Sequence, residues 1–343
     1  MSITTKDIAR LANVSQSIVS RCLNNSPMIS EETKKRIMKI AEENGFQFNA
    51  SARSLITNKT GTIAVILPKI LAGYGFDVHT KSWQDGIIES LERMEFDVIV
   101  SFFENRFTKQ NNIKKLIAAK KVDGLVIMQP DLDDETVNFL EKSDVPYVFC
   151  KYLPGAYQSK EVDFIYVDQF QGGYLASDHL SKLGHKNILC VSANIEGDEF
   201  ALRTEGFKAA LHDNHLAFHE KLLFFGDSTF KSGYQAIKEN IQVLKDITAV
   251  FAQNDLMALG AISALKESGI RVPNDIAVVG YDDIELCTFF SPYLTTIHQP
   301  IKETAKLTCD RLVGLLNAKQ PAERRKMKIA PNLVIRESCG SKS

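Results

Sequence analysis

Residues 4–23 read TTKDIARLANVSQSIVSRCL, and this stretch predicts two short helices joined by a tight turn. Thr4 is placed as a helix N-cap, with Asp7 three residues later at the spacing of a capping box. Asn13 marks the turn, because asparagine tolerates the left-handed backbone conformation that ends a helix. Ser15 then caps the second helix, QSIVSRCL. Two helices at this spacing predict a helix-turn-helix, whose second helix enters the major groove of DNA.

A third helix is predicted to begin after Ser30, its N-cap, and to end at the Asn-Gly pair that finishes at residue 45. The second helix would expose Gln16, Ser17 and Arg21 along one side. Glutamine can pair with adenine and arginine with guanine, each through two hydrogen bonds. The pattern favours DNA binding, and it leaves open a three-helix packing module with a solvated polar face.

Charge separates this head from the rest of the chain. Residues 1–60 hold nine Lys/Arg and five Asp/Glu, a net charge of +4, whereas residues 61–343 carry a net charge of -5. A basic head on an acidic body predicts a DNA-binding module joined to a second unit. The 343 residues, with 44% hydrophobic and 24% charged side chains, are typical of a globular protein of about two domains. Disordered, collagen-like and coiled-coil classes are disfavoured.

No targeting or membrane segment is expected. The first residues lack the apolar core of a signal peptide, and no uninterrupted apolar run approaches about 18 residues. The six cysteines are scattered without a CxxC pair, which predicts reduced thiols and neither a zinc site nor a disulfide framework. The expected location is the cytoplasm, on the nucleoid when DNA is bound.

From residue 61 onward, short apolar runs alternate with amphipathic helical patterns, which predicts parallel strands with crossover helices. Nine runs are the clearest: 62–67, 97–101, 123–128, 146–150, 164–167, 187–191, 222–225, 248–251 and 276–279. Because nine or more strands exceed one comfortable sheet, an α/β core of two Rossmann-like lobes is expected. A ligand cleft would lie between the lobes, at the carboxyl ends of the strands.

Enzyme motifs are missing from this body. No GxGxxG follows a strand, and neither a phosphate-binding GxxxxGKS nor a GxSxG nucleophile elbow occurs. The three histidines at 212, 215 and 219 have metal-like spacing, but they straddle a helix end and a loop and are interpreted as surface residues. No cofactor, metal or catalysis is therefore expected.

The head resembles that of the LacI/GalR family of bacterial transcription regulators, on TTKDIARLANVSQSIVSRCLN, ISEETKKRI and NASARSL. The resemblance implies base contacts from Gln16, Ser17 and Arg21. It implies contacts to the DNA backbone from Ser15, Ser20, Asn24, Ser30 and Asn49. It also implies a hinge helix over NASARSLIT that meets the minor groove through Ala52, Arg53 and Leu55. In that helix Leu55 would be the wedge that unstacks a base step and bends the duplex.

Two positions of the head depart from the family pattern. Ile18 replaces a frequent threonine, which removes a hydroxyl contact to the DNA backbone. Phe48 stands where the family usually has proline before Asn49, so the start of the hinge helix is less firmly defined. A plain polar linker, with Leu55 packed on the body, is the alternative for this segment.

The body resembles the core of the same family, which is similar to periplasmic sugar-binding proteins. The matching stretches are VDQFQGGYLASDHLSKLGHKNI, LRTEGFKAAL, FAQNDLMALGAISALKESGIRVPNDIAVVGYDD, LTTIHQP and PNLVIRES. The resemblance implies that Arg203, Asp255 and Asp282 bind an effector. A forked guanidinium with carboxylates supplies the donors and acceptors that a polyol needs.

Departures in the body bear on the ligand. Lys151 stands where the family often has aspartate, and beside Arg203 it would favour an anion such as a uronate, a sugar acid or a sugar phosphate. A lysine that points into solvent is the alternative. Phe230 is the candidate to replace the family's aromatic platform, which would fall near residue 228. A longer loop, KILAGYGFDVHTKSWQDG, could bring aromatic or imidazole side chains to the pocket: Tyr74, Phe76, His79 or Trp83.

The sequence therefore predicts a homodimeric transcription regulator, a repressor, without a membrane partner. Two heads would read a pseudo-palindromic operator, and a carbohydrate or carbohydrate derivative would bind between the lobes. The expected domains are a helix-turn-helix domain at 1–47, a hinge at 48–60 and a core at 61–338. The expected lobe bounds are about 61–160 with 295–318 for the N-lobe, and about 161–290 with 320–338 for the C-lobe.

Three alternatives remain at this point. A transport-type sugar-binding protein is disfavoured by the basic head and by the missing signal peptide. An enzyme on the same scaffold, such as a sugar kinase or isomerase, is disfavoured by the missing motifs. A regulator of the same family that responds to a protein partner or to a purine is not excluded.

Overall fold

The computed structural model describes residues 3–23, 28–46, 59–68, 78–194, 197–240, 243–320 and 322–341. The chain divides into two compact units: residues 1–62 with 120–123, and residues 63–119 with 124–343. Each unit has buried apolar side chains of its own. Across the described ranges, no helix combines the length and the apolar composition needed to cross a lipid bilayer.

Most of the described part of the first unit is helical. Its helices are α1 (Thr5–Leu11), α2 (Gln16–Leu23) and α3 (Glu31–Glu43). The predicted capping box is confirmed, because the Thr4 side chain accepts from the Asp7 amide while the Asp7 carboxylate accepts from the Thr4 amide at 3.0 Å. Asn13 adopts the predicted left-handed conformation, with φ of 52°. One side chain from each helix is fully buried in the centre: Ile8, Val19 and Ile37.

The rest of the described chain is an α/β structure. Its helices are α4 (Val78–Arg93), α5 (Asn112–Ala118), α6 (Asp134–Glu141), α7 (Gln169–Lys182), α8 (Glu199–Asp213), α9 (Phe230–Glu239), α10 (Asp255–Glu267) and α11 (Ile301–Asn317). Its strands are β1 (Thr62–Leu67), β2 (Asp97–Phe102), β3 (Gly124–Ile127), β4 (Tyr147–Cys150), β5 (Phe164–Val167), β6 (Ile188–Ala193), β7 (Leu223–Gly226), β8 (Ala249–Ala252), β9 (Ala277–Asp282), β10 (Thr295–His298), β11 (Lys326–Ile329) and β12 (Asn332–Val334). Short 3₁₀ turns occupy Gly155–Tyr157, Glu220–Leu222, Val243–Asp246 and Glu285–Thr288.

The strands form two sheets, which confirms the predicted pair of Rossmann-like lobes. The sheet of the N-lobe has the order β11-β5-β4-β3-β1-β2, and that of the C-lobe has the order β12-β10-β9-β8-β6-β7. β12 runs antiparallel to β10, while the other registered pairs are parallel. Helix α11 packs against the N-lobe sheet, and α7 packs against the C-lobe sheet. All six cysteines are buried as free thiols.

The expected lobe bounds are wrong at three strands. β5 and β11 pair in the N-lobe sheet, although both were expected in the C-lobe. β10, expected in the N-lobe, pairs with β9 in the C-lobe sheet. The chain therefore crosses between the lobes after β5, after β10 and after β11. β5 and β10 are buried parallel strands, which have the same apolar pattern in either lobe, and β11 is a short, partly exposed edge strand. The sequence therefore does not mark where the chain crosses.

Helices α7 and α8 pack with their backbones in contact. A Cβ atom added to Gly206 on α8 would lie 1.9 Å from the carbonyl oxygen of Phe170 on α7. One added to Gly173 on α7 would lie 2.0 Å from the carbonyl oxygen of Arg203 on α8. Since neither oxygen belongs to a flexible side chain, a methyl group at either glycine would push the helices apart. This crossing fixes the position of Arg203.

We expect Gly206→Ala to lower the free energy of unfolding by about 1–3 kcal/mol, the usual cost of overpacking a tight contact. Gly314→Ala is the matched control, because Gly314 lies on α11 with no heavy atom near its added Cβ. That control should raise stability by about 0.5–1 kcal/mol, the ordinary preference of a helix for alanine. Urea unfolding measures both, and equal effects in the two variants would contradict the close approach.

Candidate functional site

Helix α2 exposes the three side chains that the sequence assigns to base contacts. Gln16, Ser17 and Arg21 are all exposed on α2. Gln16 Nε2 donates to the Thr5 hydroxyl on α1 at 3.1 Å, and the hydroxyls of Ser15 and Ser17 lie 2.8 Å apart. Gln16 and Ser17 can each donate and accept hydrogen bonds, and Arg21 adds a positive charge. Together they form a surface on the outer side of α2 that can contact base edges.

The other predicted DNA contacts fall into two groups. Ser30 is exposed and caps α3, accepting from the Thr33 amide at 3.3 Å, and Ser20 is half-buried on α2. Ile18 packs against the apolar core of the first unit, so the departure from threonine adds to packing there. The remaining predicted contacts lie outside the described residues: Asn24, Asn49, Ala52, Arg53 and Leu55. The same holds for Tyr74 and Phe76 of the body.

A polar cluster lies where strand ends of the two lobes face each other. The N-lobe contributes Lys151, which follows β4, and His79 on α4, while the C-lobe contributes Arg203 and Asp282. His79 Nε2 lies 3.7 Å from Asp282 Oδ1, and Arg203 Nη2 lies 4.0 Å from the same oxygen. The structure therefore brings together four side chains that the sequence assigned to the effector site.

Arg203 is held on several sides although it is only 2% exposed. Its Nε donates to Gln169 Oε1 at 2.9 Å, and its Nη1 donates to the backbone carbonyl of Gln253. The guanidinium carbon lies 3.8 Å from the ring centroid of Tyr281, in cation–π geometry. Tyr281 in turn donates its hydroxyl to Gln169 Oε1 at 2.9 Å. Buried cations are stable only with such partners.

The surroundings of His79 favour its neutral form within this cluster. Burial lowers its pKa well below the usual range, and the charges of Lys151 and Arg203 lower it further. The Trp83 indole, which can only donate, reaches His79 Nε2 at 3.3 Å, so this nitrogen is an acceptor. Gln299 Nε2 lies 2.8 Å from the same nitrogen. The sequence-predicted His79 and Trp83 thus belong to one hydrogen-bonded group.

The backbone is strained at two of these positions. Lys151 has φ of 70° and Asp282 has φ of 117°, and neither is glycine. Such conformations cost free energy and persist where the surroundings hold them, most often at functional sites. Gln299 Nε2 donates to Asp282 Oδ1 at 2.8 Å, which helps to hold that residue. Burial raises the pKa of Asp282 well above its usual range, and the charge of Arg203 opposes that rise.

Asp255 makes its hydrogen bonds outside this cluster, although its charge contributes to the raised pKa of Asp282. Both oxygens of the buried Asp255 carboxylate are occupied inside the C-lobe: it accepts from the Thr296 hydroxyl at 2.6 Å, the Ile284 amide at 2.9 Å and the Cys287 thiol at 3.1 Å. Burial raises its pKa to about 6, and these three donors oppose the rise. Asp255 therefore anchors the segment after β9. Phe230 begins α9 and is 45% exposed.

Sequence reasoning missed several members of the cluster: Gln169, Glu199, Gln253, Tyr281 and Gln299. One signal could have found Glu199, because it precedes Arg203 by four residues and so shares its helix face. Among the described residues, no group of three or more His, Cys, Asp and Glu side chains could hold a metal ion. The cluster supplies hydrogen-bond donors, acceptors and charges, which is the chemistry of binding a polar small molecule.

Comparison with known proteins gives matches in both units. Residues 4–49 match the family model described as bacterial regulatory proteins, lacI family, and residues 177–339 match that of a periplasmic binding protein-like domain. The HTH-type transcriptional repressor PurR of Aliivibrio fischeri (strain MJ11) is 35% identical over 98% of both chains. A lac repressor dimer bound to operator and the anti-inducer ONPF is 28% identical, with TM-score 0.80 over 99% of both chains. The regulator CelR in complex with cellobiose is 27% identical, with TM-score 0.73 over 98% of this chain and 99% of that one.

We expect Asp282→Gly to be more stable than Asp282→Ala by about 1 kcal/mol, because glycine adopts the positive φ without strain. Both variants lose the same carboxylate, so each is the control for the other. In an ordinary strand the order is reversed, with glycine less stable by roughly 0.5–1 kcal/mol. Urea unfolding at neutral pH decides between the two orders, and a more stable alanine variant would refute the strain at Asp282.

Proposed function

Because this chain belongs to the lacI family of bacterial regulatory proteins, we propose that it acts as a homodimeric repressor at a pseudo-palindromic operator, under the control of a carbohydrate or carbohydrate derivative. At a coarser level it is a DNA-binding transcriptional repressor with an effector-binding core. Its relatives are repressors and not enzymes. Its place of action is then the cytoplasm, where operator DNA lies.

In this proposal the head reads DNA in three ways. Base edges are contacted by Gln16, Ser17 and Arg21, whose exposure on α2 supports the assignment. The DNA backbone is contacted by Ser15, Ser20, Asn24, Ser30 and Asn49. The minor groove is contacted by Ala52, Arg53 and Leu55. Phosphate contacts position the head on the duplex, while base contacts select the sequence.

One observation carries the proposed effector site: Lys151 and His79 of the N-lobe meet Arg203 and Asp282 of the C-lobe, at facing strand ends. Parallel sheets bind their ligands at this end of the strands. The cellobiose in the CelR complex supports a carbohydrate, whose hydroxyl groups match a guanidinium, a carboxylate and amides. Asp255 and Phe230 are left out of the proposed site, because both oxygens of Asp255 are bonded inside the C-lobe and Phe230 is exposed at the start of α9.

The proposed dimer is supported by exposed aromatic side chains on the C-lobe. Phe225, Phe289, Phe290 and Tyr293 are 65%, 55%, 63% and 44% exposed. Large exposed apolar side chains often mark protein interfaces, and the lac repressor relative is a dimer.

Control by a ligand requires two arrangements of the lobes that differ in operator affinity. A ligand in the cleft would change operator affinity only if it bound one of these arrangements more tightly than the other.

The first test is to select bound sequences from a random DNA pool with the purified protein. The proposal predicts an enriched inverted repeat, since two heads related by two-fold symmetry read two half-sites. Arg21→Ala should then lose about 1–3 kcal/mol of discrimination at one position of each half-site. Lys39→Ala removes the same charge from α3 and should leave every base preference unchanged. If Arg21→Ala instead lowers the DNA affinity equally on all sequences, Arg21 does not contact a base.

A second test addresses the hinge. We expect Leu55→Ala to reduce the bend of operator DNA, because a leucine wedged into a base step holds the duplex open. Fluorescence energy transfer between the ends of a labelled operator measures the bend. Leu183→Ala, a partly exposed leucine of the C-lobe, is the control for loss of a leucine elsewhere. An unchanged bend in Leu55→Ala would make Leu55 a linker residue.

A further inference from the structure

Lys151 does not point into solvent. Its side chain is 4% exposed, and its ammonium lies 4.6 Å from the ring centroid of Tyr152 and 3.4 Å from His79 Nδ1. Its backbone is held at φ of 70°, at the end of β4. A buried ammonium needs a counter-charge, because transfer of a lone charge out of water is costly.

Glu199 of the C-lobe supplies that counter-charge. Its Oε2 lies 3.8 Å from Lys151 Nζ, and its side chain is 7% exposed. Its Oε1 accepts from Gln169 Nε2 at 3.5 Å. Glu199 is the first residue of the fifteen-residue helix α8, where the positive end of the helix dipole favours a carboxylate. The carboxylate therefore occupies the side of Lys151 that faces the C-lobe.

The second cation of the cluster is arranged in the same way. Arg203 faces the carboxylate of Asp282 at 4.0 Å and gives its other donors to Gln169 and to the Gln253 carbonyl. His79 adds no charge, because burial, Lys151 and Arg203 all lower its pKa. Each described cation of the cluster thus lies within 4.0 Å of an acidic side chain of this chain. An anionic ligand beside Lys151 would meet the like charge of Glu199.

We infer that Glu199 is a specificity-determining residue: it occupies the anion position at Lys151, so the cleft selects uncharged, hydrogen-bonding ligands such as neutral sugars and rejects uronates and sugar phosphates. The inference rests on the proposed function, since it concerns the ligand of the same cleft. It reverses the preference for anions that Lys151 alone suggests. The other polar groups of the cluster are uncharged: the amides of Gln169 and Gln299 bond to each other, and the Tyr281 hydroxyl donates to Gln169. A neutral ligand would exchange hydrogen bonds with these groups and would bring no charge to the cluster.

The test uses the full chain and inorganic phosphate as the probe, with thermal unfolding measured at constant ionic strength. Phosphate should stabilise the wild type no more than chloride does. Glu199→Gln keeps the shape of the side chain and removes its charge, so it should gain saturable stabilisation by phosphate, with an apparent affinity at least about tenfold tighter than that of the wild type. Glu205→Gln, an exposed glutamate on the same helix, should behave as the wild type.

Two further variants keep the test decisive. Lys151→Met combined with Glu199→Gln should lose the gain, because the ammonium that holds phosphate is gone. If Glu199→Gln does not fold, Glu199→Asp replaces it: the carboxylate is then withdrawn from Lys151 by one methylene, and a smaller gain is expected. Saturable phosphate binding by the wild type that Lys151→Met abolishes would overturn the inference. So would a folded Glu199→Gln without any gain.

Operator affinity measured in the same samples separates this inference from the proposed function. A wild type whose operator affinity responds to no small molecule would contradict the proposed function. The phosphate titrations would still decide the role of Glu199, because they depend on the core and not on DNA. Conversely, the operator affinity of the wild type could respond to neutral sugars while the protein also binds phosphate through Lys151. That outcome would support the proposed function and contradict the role of Glu199.

Discussion

The burial of the Arg203 guanidinium is the constraint on which the rest of the core depends. A charge that is 2% exposed must be compensated on every side, and the chain uses the start of α7, the end of β8 and the end of β9 to do so. Near this group the backbone is strained at Asp282, and α7 requires glycine at position 173, where it meets the Arg203 carbonyl. The result is a polar cluster whose side chains hold one another in place by hydrogen bonds.

Much of this architecture could be predicted from the sequence, because local rules determine it. The capping box at Thr4 and Asp7 depends only on residues three apart, and Asn13 takes the left-handed conformation that its side chain tolerates. Alternating apolar runs and helices predicted two Rossmann-like lobes, which the two six-stranded sheets confirm. Arg203, Asp282, Lys151 and His79 were assigned to one site on family resemblance and sequence context, and the structure brings them together.

The rest depends on tertiary contacts that leave no local pattern. The crossings between lobes were misplaced, since β10 and β11 look like any other short strand. Asp255 follows a strand, as a ligand-binding residue would. Yet one of its oxygens accepts from Ile284 in the segment after β9, and the other accepts from Thr296 on β10. Glu199 was missed because its partner Lys151 lies in the other lobe. Whether the cleft favours an anionic or a neutral ligand therefore depends on the pairing of Lys151 with Glu199 in the fold, and not on Lys151 alone.

The most direct test of this account is the operator affinity of the wild type and of Arg203→Lys, titrated with neutral sugars and followed by fluorescence anisotropy. Lysine keeps the charge but lacks the fork that reaches Gln169 and the Gln253 carbonyl together. The account predicts that a neutral sugar changes operator affinity of the wild type by about fivefold or more, while Arg203→Lys binds operator but no longer responds. An equal response in both proteins, or no response in the wild type, would contradict it.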